Sequence, residues 1–476
     1  MGLGDKNAAE RTKSALLSAS FANALPRADP SRLSARAMAW PVWAQIIVLV
    51  LLTALVISLF AAPLSILSIL SLSLTVVILC HSLLRGLACV WSLRGKPQRA
   101  TEHPIAIWPY YTVLIPLKDE AHMVPSIIKA MSKLDYPQDR LQILLITEAN
   151  DRATTEAALA FAKPPFHTVI NPPGGPKTKP NALNYALQFA TGSIITIYDA
   201  EDHPHPQQLK QAAIALSKNP QWGALQAPLD YYNASETALS RQFAIEYAAL
   251  FHVWVPFLAR LGLPFPLGGT SNHMRAEALA DTNGWDGYNV TEDADLSFRL
   301  SALGWQIGYI PMPTDEEAVT CWNPWCDQRA RWMKGYMQTW IVHMKAPFAP
   351  GGRRGAAKLF TLQITLGASL LSGLFHSLIV AALIGALLHC IFTGQHPPLY
   401  PPIIGVTLFS YGVNIAIGAV GVCKAGKRQL LWAVPFMPLY WFVLIVPSWM
   451  AVTDLILRPF HWRKTSHGMT HMRPAE

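Results

Sequence analysis

Residues 193–202 read Ser-Ile-Ile-Thr-Ile-Tyr-Asp-Ala-Glu-Asp, a β-rich apolar run that ends directly in carboxylates. A short apolar run of this kind predicts a strand buried on both faces of a sheet. Ligands of open α/β sheets bind beyond the carboxyl ends of the strands, so chemistry is expected just after this run. Asp199 and Glu201 are therefore candidate oxygen ligands of a divalent cation, Mg²⁺ or Mn²⁺. The alternative is a solvated acidic turn, which Pro204 and Pro206 also favour.

Similar apolar runs lie on both sides of this stretch and alternate with helical patterns. The predicted strands are Thr112–Pro116, Gln142–Thr147, His167–Asn171, Ser193–Tyr198 and Trp222–Pro228. The predicted helices include Val124–Leu134, Arg152–Ala162 and Asn181–Ala190. Strands that alternate with helices imply a mostly parallel, Rossmann-like sheet with helices on both faces.

The composition requires a second, non-aqueous environment for much of the chain. Hydrophobic residues make up 51% of the 476 residues and charged residues only 14%, whereas soluble domains have about 25% charged residues. Apolar runs long enough to cross a bilayer, which takes roughly 20 residues, lie before and after the α/β region. These runs are Val42–Phe60, Leu64–Leu84, Leu359–Phe392, Pro402–Cys423 and Leu430–Leu455. The sequence therefore predicts an α/β domain combined with an α-helical transmembrane bundle.

The net charge of +9 follows the same division. Lys and Arg lie mostly beside the apolar runs, so we interpret them as membrane flanks and expect no nucleic-acid partner. Positive flanks place the α/β domain in the cytosol, and the expected location is a bacterial-type inner (plasma) membrane. The predicted units are a cytosolic tail (1–39), a transmembrane hairpin (40–100), the cytosolic α/β domain with interfacial helices (101–350), a C-terminal membrane region (351–456) and a cytosolic tail (457–476).

Two features of the membrane region stay open at this level. Simple counting of spans puts the basic C-terminal tail outside, so either Leu430–Leu455 re-enters at its prolines or Leu359–Phe392 contributes an extra element. Ser240–Leu261 carries aromatic residues at helical spacing, which is typical of a helix in the membrane interface. The alternative for this segment is a core helix of the α/β domain.

Three further motifs carry residues suited to chemistry, and each has a structural explanation as well. Thr291 to Asp295 reads Thr-Glu-Asp-Ala-Asp, which offers either a general base or an ordinary capped helix start. Gln328, Arg331 and Trp332 share one helix face, where Arg can bind a diphosphate and Trp a sugar ring, or where both can line a membrane interface. Lys179 precedes a predicted helix, where a lysine can hold phosphate or lie in solvent.

In their order and spacing, these motifs resemble the processive branch of the family 2 glycosyltransferases, which includes cellulose, hyaluronan and chitin synthases and related exopolysaccharide synthases. The resemblance runs from about Tyr111 through Trp332 and extends to the tail. The matching stretches are Val113–Pro116, Glu148–Asp151, Asp199–Asp202, Gly268–His273, Thr291–Asp293 and Gln328-x-x-Arg331-Trp332. The departures are Glu201, where the family has a metal-site Asp, and Glu148 and Asn150 in the first acidic turn. These departures leave the metal preference and the donor sugar undecided.

The resemblance implies a GT-A-type fold and a role for each motif. Asp293 would be the catalytic base, with Glu292 beside it as a second catalytic candidate. The UDP-sugar donor, UDP-glucose by analogy, would be bound by Glu148, Asp151, Lys179, Asp199 and Arg331. The acceptor would be bound by Gly269, Thr270, Ser271, Gln328 and Trp332. The cation would be held by Asp199 and Glu201, and a gating segment would include Trp462, Lys464 and Thr465.

These features predict a membrane-bound inverting glycosyltransferase that extends a β-linked polysaccharide, with export and secretion partners as open points. The first alternative is a non-processive enzyme that glycosylates a lipid such as diacylglycerol. The second alternative is a transporter or scaffold with an inactive domain, although few ionisable residues within the apolar runs argue against an ion-coupled carrier.

Overall fold

The computed structural model of the chain describes residues 33–38, 63–95, 105, 107–345, 352–395 and 400–462, together with positions 45–47, 49–50, 53–54 and 57. The predicted first apolar run, Val42–Phe60, therefore lies largely outside the described residues, as do Lys464 and Thr465. The remaining predicted elements can be compared with the structure directly.

Strands and helices alternate through the middle of the chain. The strands are β1 (Tyr111–Leu117), β2 (Leu141–Glu148), β3 (Phe166–Asn171), β4 (Ile194–Ile197), β5 (His203–Pro204), β6 (Trp222–Gln226), β7 (Leu229–Tyr231), β8 (Asn272–Arg275), β9 (Gln306–Tyr309) and β10 (Thr314–Glu316). The helices up to the end of the α/β region are α1 (Pro63–Arg94), α2 (Val124–Ser132), α3 (Arg152–Leu159), α4 (Lys179–Ala186), α5 (Gln208–Lys218), α6 (Ala238–Ala249), α7 (Val255–Arg260), α8 (Ala276–Asp281), α9 (Glu292–Ala302) and α10 (Trp322–His343). The later helices are α11 (Gly352–Leu362), α12 (Ala368–Thr393), α13 (Tyr400–Lys424), α14 (Met437–Val443) and α15 (Ile445–Leu457).

The main sheet has seven strands in the order β3-β2-β1-β4-β8-β6-β9. All neighbours are parallel except β8, which runs antiparallel to both β4 and β6. A second sheet, β5-β10-β7, covers one end. The predicted mostly parallel α/β sheet is therefore confirmed, and each predicted strand overlaps an observed one. Because β1, β2 and β4 point the same way, the residues after them meet at one edge of the sheet.

The segment Ser240–Leu261 lies between the α/β region and the apolar helices. It forms α6 and α7 joined by a π-helical turn, Leu250–Trp254. Of its most apolar 18-residue stretch, 78% is buried inside the protein. Its aromatic residues contact β7, α10 and α1, and α13 packs along it. The segment is therefore part of the core, and its position in a membrane interface stays a prediction.

Within the described part of the chain, five helical segments are long and apolar enough to cross a membrane by length and composition: Leu72–Arg94, Ala238–Arg260, Gly355–Ser377, Pro402–Lys424 and Arg428–Leu457. The last is broken into a 3₁₀ stretch (Arg428–Phe436), α14 and α15. Proline cannot donate the helical hydrogen bond, and these pieces begin or bend at Pro435, Pro438 and Pro447. The structure therefore shows a broken run in the place where the sequence left two alternatives.

Candidate active site

The acidic turn after β4 is organised around a buried carboxyl. Asp202 is fully buried, and its Oδ2 accepts hydrogen bonds from the Asp199 backbone N–H at 2.6 Å and from the Thr270 hydroxyl. Its Oδ1 has no hydrogen-bond partner among the described residues. Burial, with the nearby Asp199 and Glu201 carboxylates, raises the pKa of Asp202 well above its usual range. Asp202 thus closes the turn and leaves Asp199 directed into the site.

Lys179 is the cation that faces this turn. It is the first residue of α4, and its ammonium group binds the Asp199 carboxylate and donates to the Gly269 carbonyl at 2.8 Å. Burial alone lowers the pKa of Lys179, but the carboxylates of Asp199, Glu292 and Asp293 outweigh burial and raise it. Lys179 is therefore a permanent positive charge that joins the β4 turn to the loop before β8.

The glycine loop before β8 contributes backbone rather than hydroxyl groups. A Cβ built on Gly269 would lie 3.5 Å from Asp293 Oδ2, so the loop passes directly beside that carboxylate. Thr270 lines the cavity, but its hydroxyl is already hydrogen-bonded to the Asp202 carboxyl and the Ile197 carbonyl. Ser271 is fully buried, and its hydroxyl lies 2.6 Å from that of Thr314. The side chain of Ser271 thus points into the core and does not line the cavity, and its acceptor-binding role stays a prediction.

Helix α10 fixes the start of α9, which carries Glu292 and Asp293. A Cβ on Gly335 would lie 2.3 Å from Thr291 Oγ1, so only glycine lets the two helices approach so closely. The Val290 N–H donates to Gln338, and Asn289 donates to Thr339. The residues of α10 that contact the segment just before α9 therefore lie one to three turns after Gln328, Arg331 and Trp332.

A buried ionic network completes this junction. Arg299 donates to Asp295 Oδ2 at 2.7 Å, and His343 Nε2 lies 2.9 Å from Asp295 Oδ1. Although burial alone raises it, the pKa of Asp295 is lowered by the Arg299 guanidinium and by hydrogen bonding to His343. Asp295 therefore acts as a charged tie between α9 and α10. Asp295 was not singled out in the sequence as distinct from its neighbours, although its i, i+4 spacing to Arg299 was visible.

The predicted Gln-x-x-Arg-Trp residues of α10 all line the cavity. Arg331 is electrostatically coupled to Glu292, Asp293 and Asp199, and its Nε has no hydrogen-bond partner among the described residues. Its guanidinium lies 5.6 Å from the ring centre of Trp462, the one described residue of the predicted gating segment. Trp332 stacks on Tyr247 with ring centres 6.1 Å apart. Gln328 is buried, and its Oε1 has no hydrogen-bond partner within the ranges that the structure describes.

Both of the adjacent carboxyls at the start of α9 have raised pKa values. Burial and the Asp293 carboxylate raise the pKa of Glu292 to about 7. Burial also raises the pKa of Asp293, against the opposing effect of a backbone hydrogen bond, Lys179 and Arg331. Shifted carboxyls that share one cleft are typical of acid–base sites. The distant motifs of the sequence therefore meet as one cluster.

The first acidic turn is only partly brought into the cluster. Glu148 ends β2 and lines the cavity, where it accepts a hydrogen bond from Asn171 at 3.0 Å. Asp151 instead caps α3, accepting hydrogen bonds from the Thr154 and Asp119 backbone N–H groups, and does not line the cavity. The predicted nucleotide-binding role of Asp151 is therefore not supported, whereas Asn150 lines the cavity.

Arg329 was missed in the sequence because it lies between the motif positions. Its guanidinium binds both carboxylate oxygens of Glu246 and donates to Tyr440 at 2.6 Å, and it lies 5.0 Å from the Trp332 ring centre. A buried bidentate pair of this kind is strongly directional. It ties α10 to α6 and α14, and thereby ties the site to the apolar helices.

Residues suited to a divalent cation are present as oxygen donors. Glu316, Glu201 and Asp199 lie close to Asp202, and burial with these charges raises the pKa of Glu316 well above its usual range. Glu316 Oε1 and Asp202 Oδ1 are buried acceptors that lack a donor in the described part of the chain. The described residues contain no ready-made cage of three or more such side chains. The donor chemistry therefore fits Mg²⁺ or Mn²⁺ bound mainly through Asp199 and Glu201 with ligands from a substrate.

The site opens into a cavity of about 760 Å³ that continues between the apolar helices. Val77 of α1 and Leu371 of α12 line this cavity and are also 48% and 41% exposed at the protein surface. Helix α1 packs along α13, while α12 packs on α14 and α15. We call the part of the cavity that is lined by these exposed residues of α1 and α12 the lateral mouth.

Known protein families match the α/β region and the apolar helices that follow it. A model described as "Glycosyl transferase family group 2" matches residues 194–457, and one described as "Glycosyl transferase family 2" matches residues 112–261. A probable glycosyltransferase of Bacillus subtilis, YdaM, is 29% identical over 236 residues, covering 48% of this chain and 55% of that protein. Two β-monoglucosyldiacylglycerol synthases also match. The Synechocystis enzyme is 26% identical over 57% of this chain and 60% of its own length. The Nostoc enzyme is 25% identical over 81% of this chain and 82% of its own length.

The matched segment thus spans little more than half the length of the first two relatives. Among solved structures, a mannosyltransferase from Pyrobaculum calidifontis, PcManGT in complex with GDP-Man and Mn²⁺, is 16% identical with a TM-score of 0.48. That alignment covers 81% of this chain and 98% of the solved one.

Proposed function

We propose that this chain, which belongs to glycosyl transferase family group 2, transfers glucose from UDP-glucose to the hydroxyl group of a membrane lipid of the diacylglycerol type. A lipid acceptor is supported by the lateral mouth, because the same cavity is lined by the carboxylate cluster and by exposed residues of the apolar helices. The names of the Synechocystis and Nostoc relatives support the same acceptor and a single glucose. The catalytic domain would lie on the cytosolic side of a bacterial inner membrane.

The reaction is a direct displacement at the anomeric carbon. The bond from this carbon to the UDP oxygen breaks as a bond to the acceptor oxygen forms, and Asp293 takes the acceptor proton. Lys179 and Arg331 supply positive charge for the diphosphate, because both face the cavity near Asp199. Trp332 offers an apolar face for the sugar or acceptor ring. Holding both reactants in one cavity provides much of the rate.

Asp199 and Glu201 would hold the cation, which supplies charge neutralisation for departing UDP. Because Lys179 binds the same Asp199 carboxylate, a cation must share that carboxylate with the ammonium group or displace it. Asp199→Asn should weaken Mn²⁺ binding in the presence of UDP about tenfold or more, since it removes one charged ligand. Titration calorimetry measures this, with the exposed carboxylate change Asp135→Asn as control. Equal Mn²⁺ affinity in the Asp199 variant and the wild type would exclude the cation site.

Asp293→Asn should remove the base while preserving shape. Turnover is expected to fall about 10² to 10⁴-fold, with little change in UDP binding, because Lys179 and Arg331 remain. UDP release from purified protein with UDP-glucose and diacylglycerol vesicles measures the rate. Undiminished transfer by this variant would refute the assignment of the base.

The raised pKa of Asp293 predicts an acid limb of the rate profile above the ordinary pH range of a carboxyl group. As pH falls through the raised pKa of Asp293, the base becomes protonated and turnover is lost. Glu292→Gln removes a neighbouring negative charge and should lower the pKa of Asp293, so the acid limb should move to lower pH. Initial rates between about pH 5 and 9, with Glu156→Gln from an exposed surface pair as control, check this. A wild-type acid limb near the ordinary carboxyl value of about 4 would contradict it.

Blocking the lateral mouth should separate acceptor use from donor binding. Val77→Trp fills the opening and should lower transfer to lipid severalfold while leaving UDP affinity unchanged. Val76→Trp is the matched control, because Val76 is 51% exposed on the same helix but does not line the cavity. Equal activity of the two variants would show that lipid does not enter between α1 and α12.

Extension of a polysaccharide is the second candidate, and a cluster inside the apolar helices favours it. His376, Tyr411 and Trp441 line the inner cavity, with Tyr411 Oη 3.2 Å from His376 Nε2 and the Tyr411 and Trp441 ring centres 5.7 Å apart. Such amphipathic rings suit a saccharide as well as a lipid headgroup. Product mass separates the two: a lipid carrying one hexose that extracts into organic solvent supports the first proposal, and a solvent-resistant polymer supports the second.

A further inference from the structure

Arg85 is a cation inside the cavity wall for which the proposed transfer reaction has no use. It lies within the candidate span Leu72–Arg94, and its guanidinium is 5.6 Å from the Trp254 ring centre. No carboxylate of the described residues forms an ion pair with it, and its Nε has no hydrogen-bond partner there. Glu246 is within electrostatic range, but that carboxylate is already bound by Arg329 and Tyr440. A guanidinium within an apolar helix whose Nε lacks a hydrogen-bond partner among the described residues is costly and points to a ligand.

The common structural explanation for such an arginine is that it extends along the helix to reach lipid headgroups. Arg85 does not fit that explanation, because it lines the cavity beside Trp254 instead of the outer surface of α1. Arg94, at the end of the same helix, is the exposed arginine that occupies such an outer position.

The surroundings of Arg85 select the kind of ligand. His81 lies one turn earlier on α1, is hydrogen-bonded to the backbone of Ile364 and lines the same cavity. One turn farther from the catalytic carboxylates, Val77 and Ile78 form one wall of the lateral mouth. A ligand at Arg85 therefore has an anionic group at the guanidinium and an apolar part directed through the mouth.

We propose that Arg85 binds the phosphate of an anionic membrane lipid whose acyl chains lie in the lateral mouth between α1 and α12. Basic pockets between membrane helices on the cytosolic side bind such headgroups, and guanidinium groups pair with phosphate through two hydrogen bonds. The phosphate belongs either to the acceptor or to a lipid bound beside it. The proposal deepens the proposed function by assigning a lipid charge to this site, but its binding test does not depend on the transfer reaction.

Lipid binding is tested with full-length protein in detergent micelles, by native mass spectrometry during titration with phosphatidylglycerol. Arg85→Gln should bind this lipid about tenfold more weakly, as expected for lost hydrogen bonds to a charged group. Arg85→Lys should retain part of the affinity, since it keeps the charge. The matched control is Arg94→Gln, which removes the same charge from the exposed end of α1. UDP affinity, unchanged in all variants, shows that they are folded.

Three results would overturn the proposal: equal binding by Arg85→Gln and wild type, equal loss in Arg94→Gln, or displacement of the lipid by millimolar inorganic phosphate. Displacement by phosphate would mean that the site takes free anions.

A second experiment decides whether the bound phosphate belongs to the acceptor or to a neighbouring lipid. It measures activity in phosphatidylcholine vesicles that contain diacylglycerol, with and without phosphatidylglycerol. Glucosylated phosphatidylglycerol identifies the phosphate as the acceptor's own, and stimulated glucosylation of diacylglycerol identifies a neighbouring lipid. A polymer product would remove the proposed acceptor but would leave the binding result for Arg85 in force.

Discussion

The close contact between Gly335 and Thr291 is the constraint on which the site depends. It lets α10 pack directly on the start of α9, so that one helix both grips the loop before Glu292 and presents Arg331 and Trp332 to the cavity. Asp295 and His343 then lock the junction with a buried charge. A partner removed from such a buried network leaves an uncompensated charge, which costs about 3 to 5 kcal/mol. The geometry of the Glu292 and Asp293 carboxyls is therefore set by helix packing rather than by the loop alone.

The cluster contains more carboxyls than basic side chains, since Lys179 and Arg331 face Asp199, Glu201, Asp202, Glu292, Asp293 and Glu316. Lys179 is paired with Asp199, and Arg331 Nε has no hydrogen-bond partner among the described residues. A diphosphate would give Arg331 acceptor oxygens, and the added negative charge would be offset by the cation that Asp199 and Glu201 would hold. The same cluster would resist ionisation of every carboxyl at once, since like charges in one cleft oppose each other.

Much of this arrangement follows from sequence patterns. The α/β sheet of GT-A type, the membership in family 2 and the meeting of Asp199, Asp293 and Arg331 agree with the motifs, because strand ends and helix faces are local properties. Ser271 and Asp151 lie outside the cavity lining, because a motif gives residue type but not whether a side chain turns inward. The antiparallel β8 was not predicted, since a four-residue strand carries little periodicity. The role of Arg329 could not be recognised from the sequence, because it depends on Glu246, which is distant along the chain. The processive type of enzyme stays a prediction.

The burial of α6 explains why the catalytic domain and the apolar helices act as one unit. Its aromatic residues looked interfacial because a core helix and a membrane-surface helix share the same spacing of large apolar side chains. In the structure Tyr247 stacks on Trp332, Glu246 holds Arg329, and Trp254 lies over Arg85. One helix thus supplies neighbouring parts of the cavity wall from the carboxylate cluster to the level of the lateral mouth. A change in the packing of α1 or α13 against α6 would move the walls of the active site as well, so the apolar helices are part of the catalytic architecture and more than an anchor.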